Sequence, residues 1–290
     1  MKQILKNDHI RLVINHQGAE ITSLVNLATQ TEHLWQADPA VWSWHAPNLF
    51  PVVGGQINDQ IVVEGQAYPM KRHGFARNTE FVNTECTPTY ASFELRSSPE
   101  TKAVYPYDFV FEISYALNGP RVIIEYTVRN TDDRAMFMSL GAHPAFNVPF
   151  ASGEDYSDYY IEFEADDSLE TSLLGADGLL SGKKGHIDLE ERQLKLTPEL
   201  FAADALVLLS LKSRKVSLCS RKNGHRITLE FSMFPYLGIW AKPGAPFVCI
   251  EPWLGVADTA GHAGPIEDKQ GIHRIAPETS FIAHYCLGIQ

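Results

Sequence analysis

Several shortages narrow what this chain can be. Four cysteines, Cys86, Cys219, Cys249 and Cys286, are scattered through 290 residues without a Cys-x-x-Cys pair. That excludes a disulfide-built scaffold and suits free thiols in a reducing compartment. Basic residues are in deficit, 24 Lys and Arg against 35 Asp and Glu, for a net charge of −11. Gripping nucleic-acid phosphates needs the opposite surplus, so nucleic acid is not the expected partner. The apolar run Ala205–Leu211 is far too short to cross a bilayer, and Met1–Lys6 is too polar for a signal segment. A cytoplasmic protein without membrane contact is the expectation. Dinucleotide, P-loop, zinc-protease and nucleophile-elbow motifs are missing, and none of the 11 histidines falls at Cys/His metal spacing. Neither a metal nor an organic cofactor is therefore expected.

Alternating apolar and polar residues are abundant. Ala91–Arg96, Phe109–Leu117, Val122–Arg129, Tyr159–Ala165, Val216–Arg221 and Ile227–Met233 all carry this strand period. Turn pairs punctuate them at Gln17-Gly18, Glu64-Gly65, Asn118-Gly119-Pro120 and Asn223-Gly224. No long helical pattern intervenes, which predicts an all-β antiparallel sandwich with few short helices. Asp38-Pro39 opens a turn through Trp44, Thr197-Pro198-Glu199 starts another toward Ala203, and Gly175–Gly185 reads as a surface loop. With neither linker nor repeat, residues 1–290 are expected to form one domain, as a monomer or homodimer.

Four stretches break the strand pattern with polar groups in apolar or aromatic settings. In Met70–Arg77, His73 precedes Gly74 and Phe75, as in a side chain presented beside closely approaching backbone; a surface-loop histidine is the alternative. In Leu140–Asn147, His143 lies between small residues and Pro144, either as a site residue or as a satisfied core histidine. In Leu237–Gly244, Trp240 is either core or a sugar-stacking platform. Val248-Cys249-Ile250-Glu251-Pro252-Trp253 carries a carboxylate where burial would cost several kcal/mol without a partner. Such a group is either a base with a raised pKa or an edge-strand glutamate reaching water. Two histidines and a glutamate suffice for acid–base work on a neutral, hydroxyl-rich molecule.

His73-Gly74-Phe75-Ala76-Arg77, Gly141-Ala142-His143-Pro144-Ala145-Phe146 and Ile250-Glu251-Pro252-Trp253 resemble signatures of the aldose 1-epimerase (mutarotase) family, in its bacterial galactose mutarotase-like branch. The resemblance implies a large β-sandwich with an open sugar cleft, no cofactor, and exchange of the α and β anomers of a free aldose. It implies Glu251 as general base, His143 as general acid, His73 and Asp204 as partners of sugar hydroxyls or the ring oxygen, and Arg77 and Trp240 as cleft residues. The acid and base should then lie on opposite sides of the C1–O5 bond, with a nearby carboxylate holding His143 protonated. One departure concerns the arginine that many relatives carry after Phe-Pro-x-x-Gly. Here Phe50-Pro51-Val52-Val53-Gly54 is followed by Gly55, leaving Gln56 or Lys71 as substitutes. A hexose-6-phosphate epimerase, using Lys71, Arg72 and Arg77, and a non-catalytic sugar-binding protein remain alternatives.

Overall fold

Along Arg121–Asn130 the side chains alternate between buried and accessible, and this two-residue period makes the segment a strand. It pairs antiparallel with Phe109–Asn118 from Phe109 opposite Asn130 to Asn118 opposite Arg121, closed by Gly119 and Pro120. These two strands belong to a nine-stranded sheet running from Gln193–Lys195 at one edge to Val82–Cys86 at the other. A second sheet, of eight strands, contains Leu180–Asp188, Ser168–Leu174, Leu206–Leu208, Tyr236–Trp240, Phe247–Leu254, Leu140–Ala142 and Asn48–Leu49 in that order, with Ala145–Asn147 also against Phe247–Leu254. The computed structural model describes all 290 residues.

The sheets close on one apolar cluster of 66 residues. Phe111, Tyr126 and Tyr285 from the first sheet share it with Ile239, Ile250 and Leu254 from the second. Alternation therefore splits Phe247–Leu254: Val248, Ile250 and Leu254 join this core, whereas Cys249, Glu251 and Trp253 face the opposite side of the sheet. The expected all-β antiparallel architecture is present. No helix is long and apolar enough to cross a membrane.

One local expectation changes. Leu180–Asp188 is a strand paired with Ser168–Leu174, so only the turn at its start remains of the loop expected over Gly175–Gly185. Its lysines and serine hid the strand because it lies at the sheet edge, where a polar, half-solvated chain is tolerated and blocks further pairing. The only α-helix, Pro99–Lys102, starts at Ser98, whose side chain accepts the Thr101 N–H while the Thr101 hydroxyl accepts the Ser98 N–H. The Asp38 and Thr197 segments make hydrogen-bonded turns, as expected.

His33 lies in this framework with 1% exposure and neither ring nitrogen partnered, its edge against Phe150 at 5.1 Å. Burial lowers its pKa to about 4, and His225 adds to the effect. The depressed folded-state pKa contributes stability that is fully present above about 6.5 and is lost as pH falls toward 4. The loss amounts to about 3 kcal/mol. His33→Phe should retain the ring contact and flatten this acid sensitivity. Melting temperatures of the two proteins, followed from pH 7 to pH 4, are expected to converge or cross as the wild type falls faster.

Candidate active site

The run Leu140–Asn147 meets Phe247–Leu254 in two stretches of one register: Leu140 opposite Leu254 and Gly141 opposite Trp253, then Ala145 opposite Cys249. Between them the ladder opens at Pro144, which has no N–H to donate. The His143 N–H turns to the Pro47 carbonyl (3.1 Å), while the Pro144 carbonyl still accepts from Ile250 (3.2 Å). Continuing the shared register puts His143 directly across from Glu251. Their side chains meet on the face away from the core, His143 Nε2 lying 3.1 Å from Glu251 Oε2.

Both groups are buried, His143 with 8% and Glu251 with 1% of its surface exposed. Glu251 lies on an interior strand, so the edge-strand reading is excluded. His143 is no satisfied core histidine either, because its Nδ1 has no partner. Burial raises the Glu251 pKa well above the usual carboxylate range; the Trp253 N–H opposes this and the Asp204 charge adds to it. Burial pulls His143 down to about 3, with Arg77 pressing the same way against a backbone hydrogen bond. The expected protonated imidazole is therefore corrected to a neutral one in the free site, because desolvation outweighs the neighbouring carboxyl. Burial thus disfavours the charged form of both groups. The two side chains stand side by side at the cleft floor.

Around this floor opens a cleft of about 640 Å³. Trp42 stacks on the His143 ring at 5.1 Å and 26°, while Trp240 meets it edge-on at 6.1 Å and His73 at 5.6 Å. His73 is buried rather than on a surface loop. It takes φ +68°, and its Nδ1 accepts the Gly54 N–H at 3.2 Å, leaving Nε2 as the ring donor. The next residue must be glycine, because a Cβ on Gly74 would lie 2.2 Å from the Phe50 carbonyl oxygen. Asp204, exposed at φ +91°, accepts the Ala205 N–H with its own carboxylate at the rim. All six residues singled out from the sequence, Glu251, His143, His73, Asp204, Arg77 and Trp240, line this one cleft.

Among the other residues lining it are Trp42, Arg72 and Trp253. Trp42 lies in the turn opened by Asp38-Pro39, and the Trp35 indole N–H holds that turn through the Trp42 carbonyl at 2.8 Å. Arg72 brings a guanidinium into the lining, where Gly55 supplies none. Its guanidinium lies over Gly178, where a Cβ would meet Nη2 at 1.4 Å. Gln56, by contrast, is folded back on the Gly54 carbonyl, and Lys71 is not part of the lining. Arg77 passes over the Trp44 ring at 5.3 Å and donates to the Arg72 carbonyl at 2.9 Å. The pairing of adjacent residues around His73 was a usable signal for Arg72; nothing local marks Trp42.

The chain's closest set of metal-type donors is here too, with His143, Cys249 and Glu251 offering atoms within 4.8 Å of one another. The set fits a metal poorly, because His143 Nδ1 lacks the carboxylate or carbonyl that normally backs a metal-bound imidazole.

A β-sandwich whose open, aromatic-walled cleft holds a carboxyl and an imidazole side by side belongs to the sugar isomerases of mutarotase type. Residues 1–262 match the family described as aldose 1-epimerase, and the chain belongs to that family. It is 35% identical over 282 residues to protein LacX of Lactococcus lactis, covering 94% of each. The crystal structure of a galactose mutarotase related enzyme from Lactobacillus acidophilus superposes with a TM-score of 0.94 at 33% identity, covering 100% of this chain and 97% of that one. A galactose mutarotase-like protein from Lactobacillus casei gives 0.93 at 30% identity over the full length of both.

The stacked indole keeps water off the imidazole, so Trp42→Ala should raise the His143 pKa from about 3 toward the ordinary histidine value of 6.5. An upward shift of at least about one unit is expected in an NMR titration of the His143 ring protons. An unmoved resonance would mean that the indole does not control solvation of the ring.

Proposed function

We propose that this chain is a cofactor-independent aldose 1-epimerase acting on a free hexose or related neutral aldose, with Glu251 as general base and His143 as general acid. The observation that carries the reading is the buried contact of 3.1 Å between His143 Nε2 and Glu251 Oε2 at the floor of the cleft. A pyranose bears its C1 hydroxyl and ring oxygen on the same carbon. Two proton carriers in mutual contact therefore reach both oxygens from one edge of the ring.

The working form is carboxylate with imidazolium, which has the same proton count as the neutral pair and differs by one transfer between touching atoms. Sugar oxygens supply the polar partners that make the separated charges tolerable. Glu251 takes the proton of the C1 hydroxyl, His143 protonates the ring oxygen, and the C1–O5 bond opens. Rotation about C1–C2 followed by closure, with both transfers reversed, yields the other anomer. His73 Nε2 and the Asp204 carboxylate orient hydroxyls, and Trp240 with Trp42 offers apolar faces to the C–H faces of the ring.

Freshly dissolved α-D-glucose or α-D-galactose, followed by optical rotation, should mutarotate faster with the wild type. Glu251→Gln and His143→Asn should each lose about 10²–10⁴-fold. Binding without acceleration would instead favour a sugar-sensing protein. Because His143 titrates near 3 rather than 6.5, kcat/KM should show no acidic limb between pH 5 and 7.

Arg72 and Arg77 in the lining favour a second reading, a hexose-6-phosphate 1-epimerase. In that case phosphorylated sugars are turned over in preference, and Arg72→Ala or Arg77→Ala raises KM for them by about tenfold or more while sparing free sugars.

A further inference from the structure

Seven buried side-chain polar atoms lack a well-directed hydrogen bond, and four of them belong to residues lining the cleft: Arg77 Nε, His143 Nδ1, Glu251 Oε2 and Trp253 Nε1. Orphaned buried polar groups are costly and rare, so their gathering around one cleft points to partners that arrive with a ligand. Trp253 belongs to the Ile250-Glu251-Pro252-Trp253 motif and its N–H lies near enough to Glu251 to lower that carboxyl's pKa, but no part in the chemistry has yet been given to it.

Its indole is fixed with little freedom. Trp253 is 6% exposed, two residues after Glu251 on the same face of the strand. Gly141 flanks it on one neighbouring strand, where a Cβ would lie 2.7 Å from Cδ1. Gly238 flanks it on the other, where a Cβ would lie 2.4 Å from Cζ2. The edge running from Cδ1 through Nε1 to Cζ2 thus spans the strand between two glycines, with the N–H carried over the strand beside Glu251. Any side chain at either glycine would displace it.

We propose that the Trp253 indole N–H is a catalytic hydrogen-bond donor to the C1 oxygen of the sugar, stabilising the charge that develops there while its proton passes to Glu251. The role rests on the epimerase reading. As Glu251 Oε2 removes the hydroxyl proton, the O–H bonding pair becomes the second bond of the C1 carbonyl. The C1–O5 pair moves to O5, which takes the proton from His143, so atoms and electrons balance. Negative charge builds on the C1 oxygen whenever deprotonation runs ahead of ring cleavage, and a fixed donor in a water-poor site acts on that charge without reorganising. Indole suits the task because it only donates and cannot compete with Glu251 for the proton.

Trp253→Phe removes the N–H and keeps a ring between the glycines. The expected result is a kcat lower by about 10²-fold with KM within about threefold of wild type, the pattern of a donor used mainly in the transition state. In the wild-type protein labelled with ¹⁵N at tryptophan, saturating sugar should also shift the Trp253 indole N–H resonance. A kcat loss below threefold, a loss carried wholly by KM, or an unmoved indole resonance would overturn the proposal. The resonance arm stands even if the variant fails to fold. If the wild type accelerates no aldose, the epimerase reading fails and this role with it. An active wild type with a near-normal Trp253→Phe variant removes only the donor.

Discussion

The site depends on a carboxyl and an imidazole that touch where water cannot reach them. In water, Glu251 and His143 would titrate independently, one charged at neutral pH and the other mostly not. Burial penalises both charged forms, pushing Glu251 up and His143 down while the two side chains stay 3.1 Å apart. Every nearby structural feature protects that arrangement. The register of two strands sets the contact, the break at Pro144 interrupts the ladder beside it, and the Trp42, Trp240 and His73 rings enclose the imidazole.

The same exclusion of water explains why polar atoms are left unpaired in an otherwise well-satisfied protein. An orphaned Glu251 Oε2 or Trp253 Nε1 would ordinarily be a defect. Here each is held by rigid neighbours that gain nothing from rearranging to meet it, the glycines beside Trp253 most plainly. The guanidinium groups add a different element. Arg72 and Arg77 bring cationic charge into a cleft of a strongly acidic protein, and they do so from the segment around His73 rather than from the position after Gly54.

Much of the fold was legible because strand period is a local property. Arg121–Asn130 and its hairpin to Phe109–Asn118 can be read from alternation and from Gly119-Pro120 alone. Leu180–Asp188 could not, since an edge strand needs few apolar residues and its lysines, glycines and serine imitate a loop. Ser98-Pro99 carried a helix start too short to register as periodicity. In the site, Glu251 stood out because a carboxylate after Val-Cys-Ile is expensive to bury, whereas Trp42 approaches His143 only through a turn distant in sequence.

From residue order alone one can derive the sandwich class, the hairpins, the poor fit to nucleic acid, and the chemical types gathered in the site. Those follow from composition and from interactions between near neighbours. Folding decided that burial lowers the His143 pKa, that His143 and Glu251 stand side by side, and that Arg72 lines the cleft while Gly55 follows Gly54. Each of these turns on burial or on register between segments far apart in the chain, and neither quantity exists until the sheets have closed.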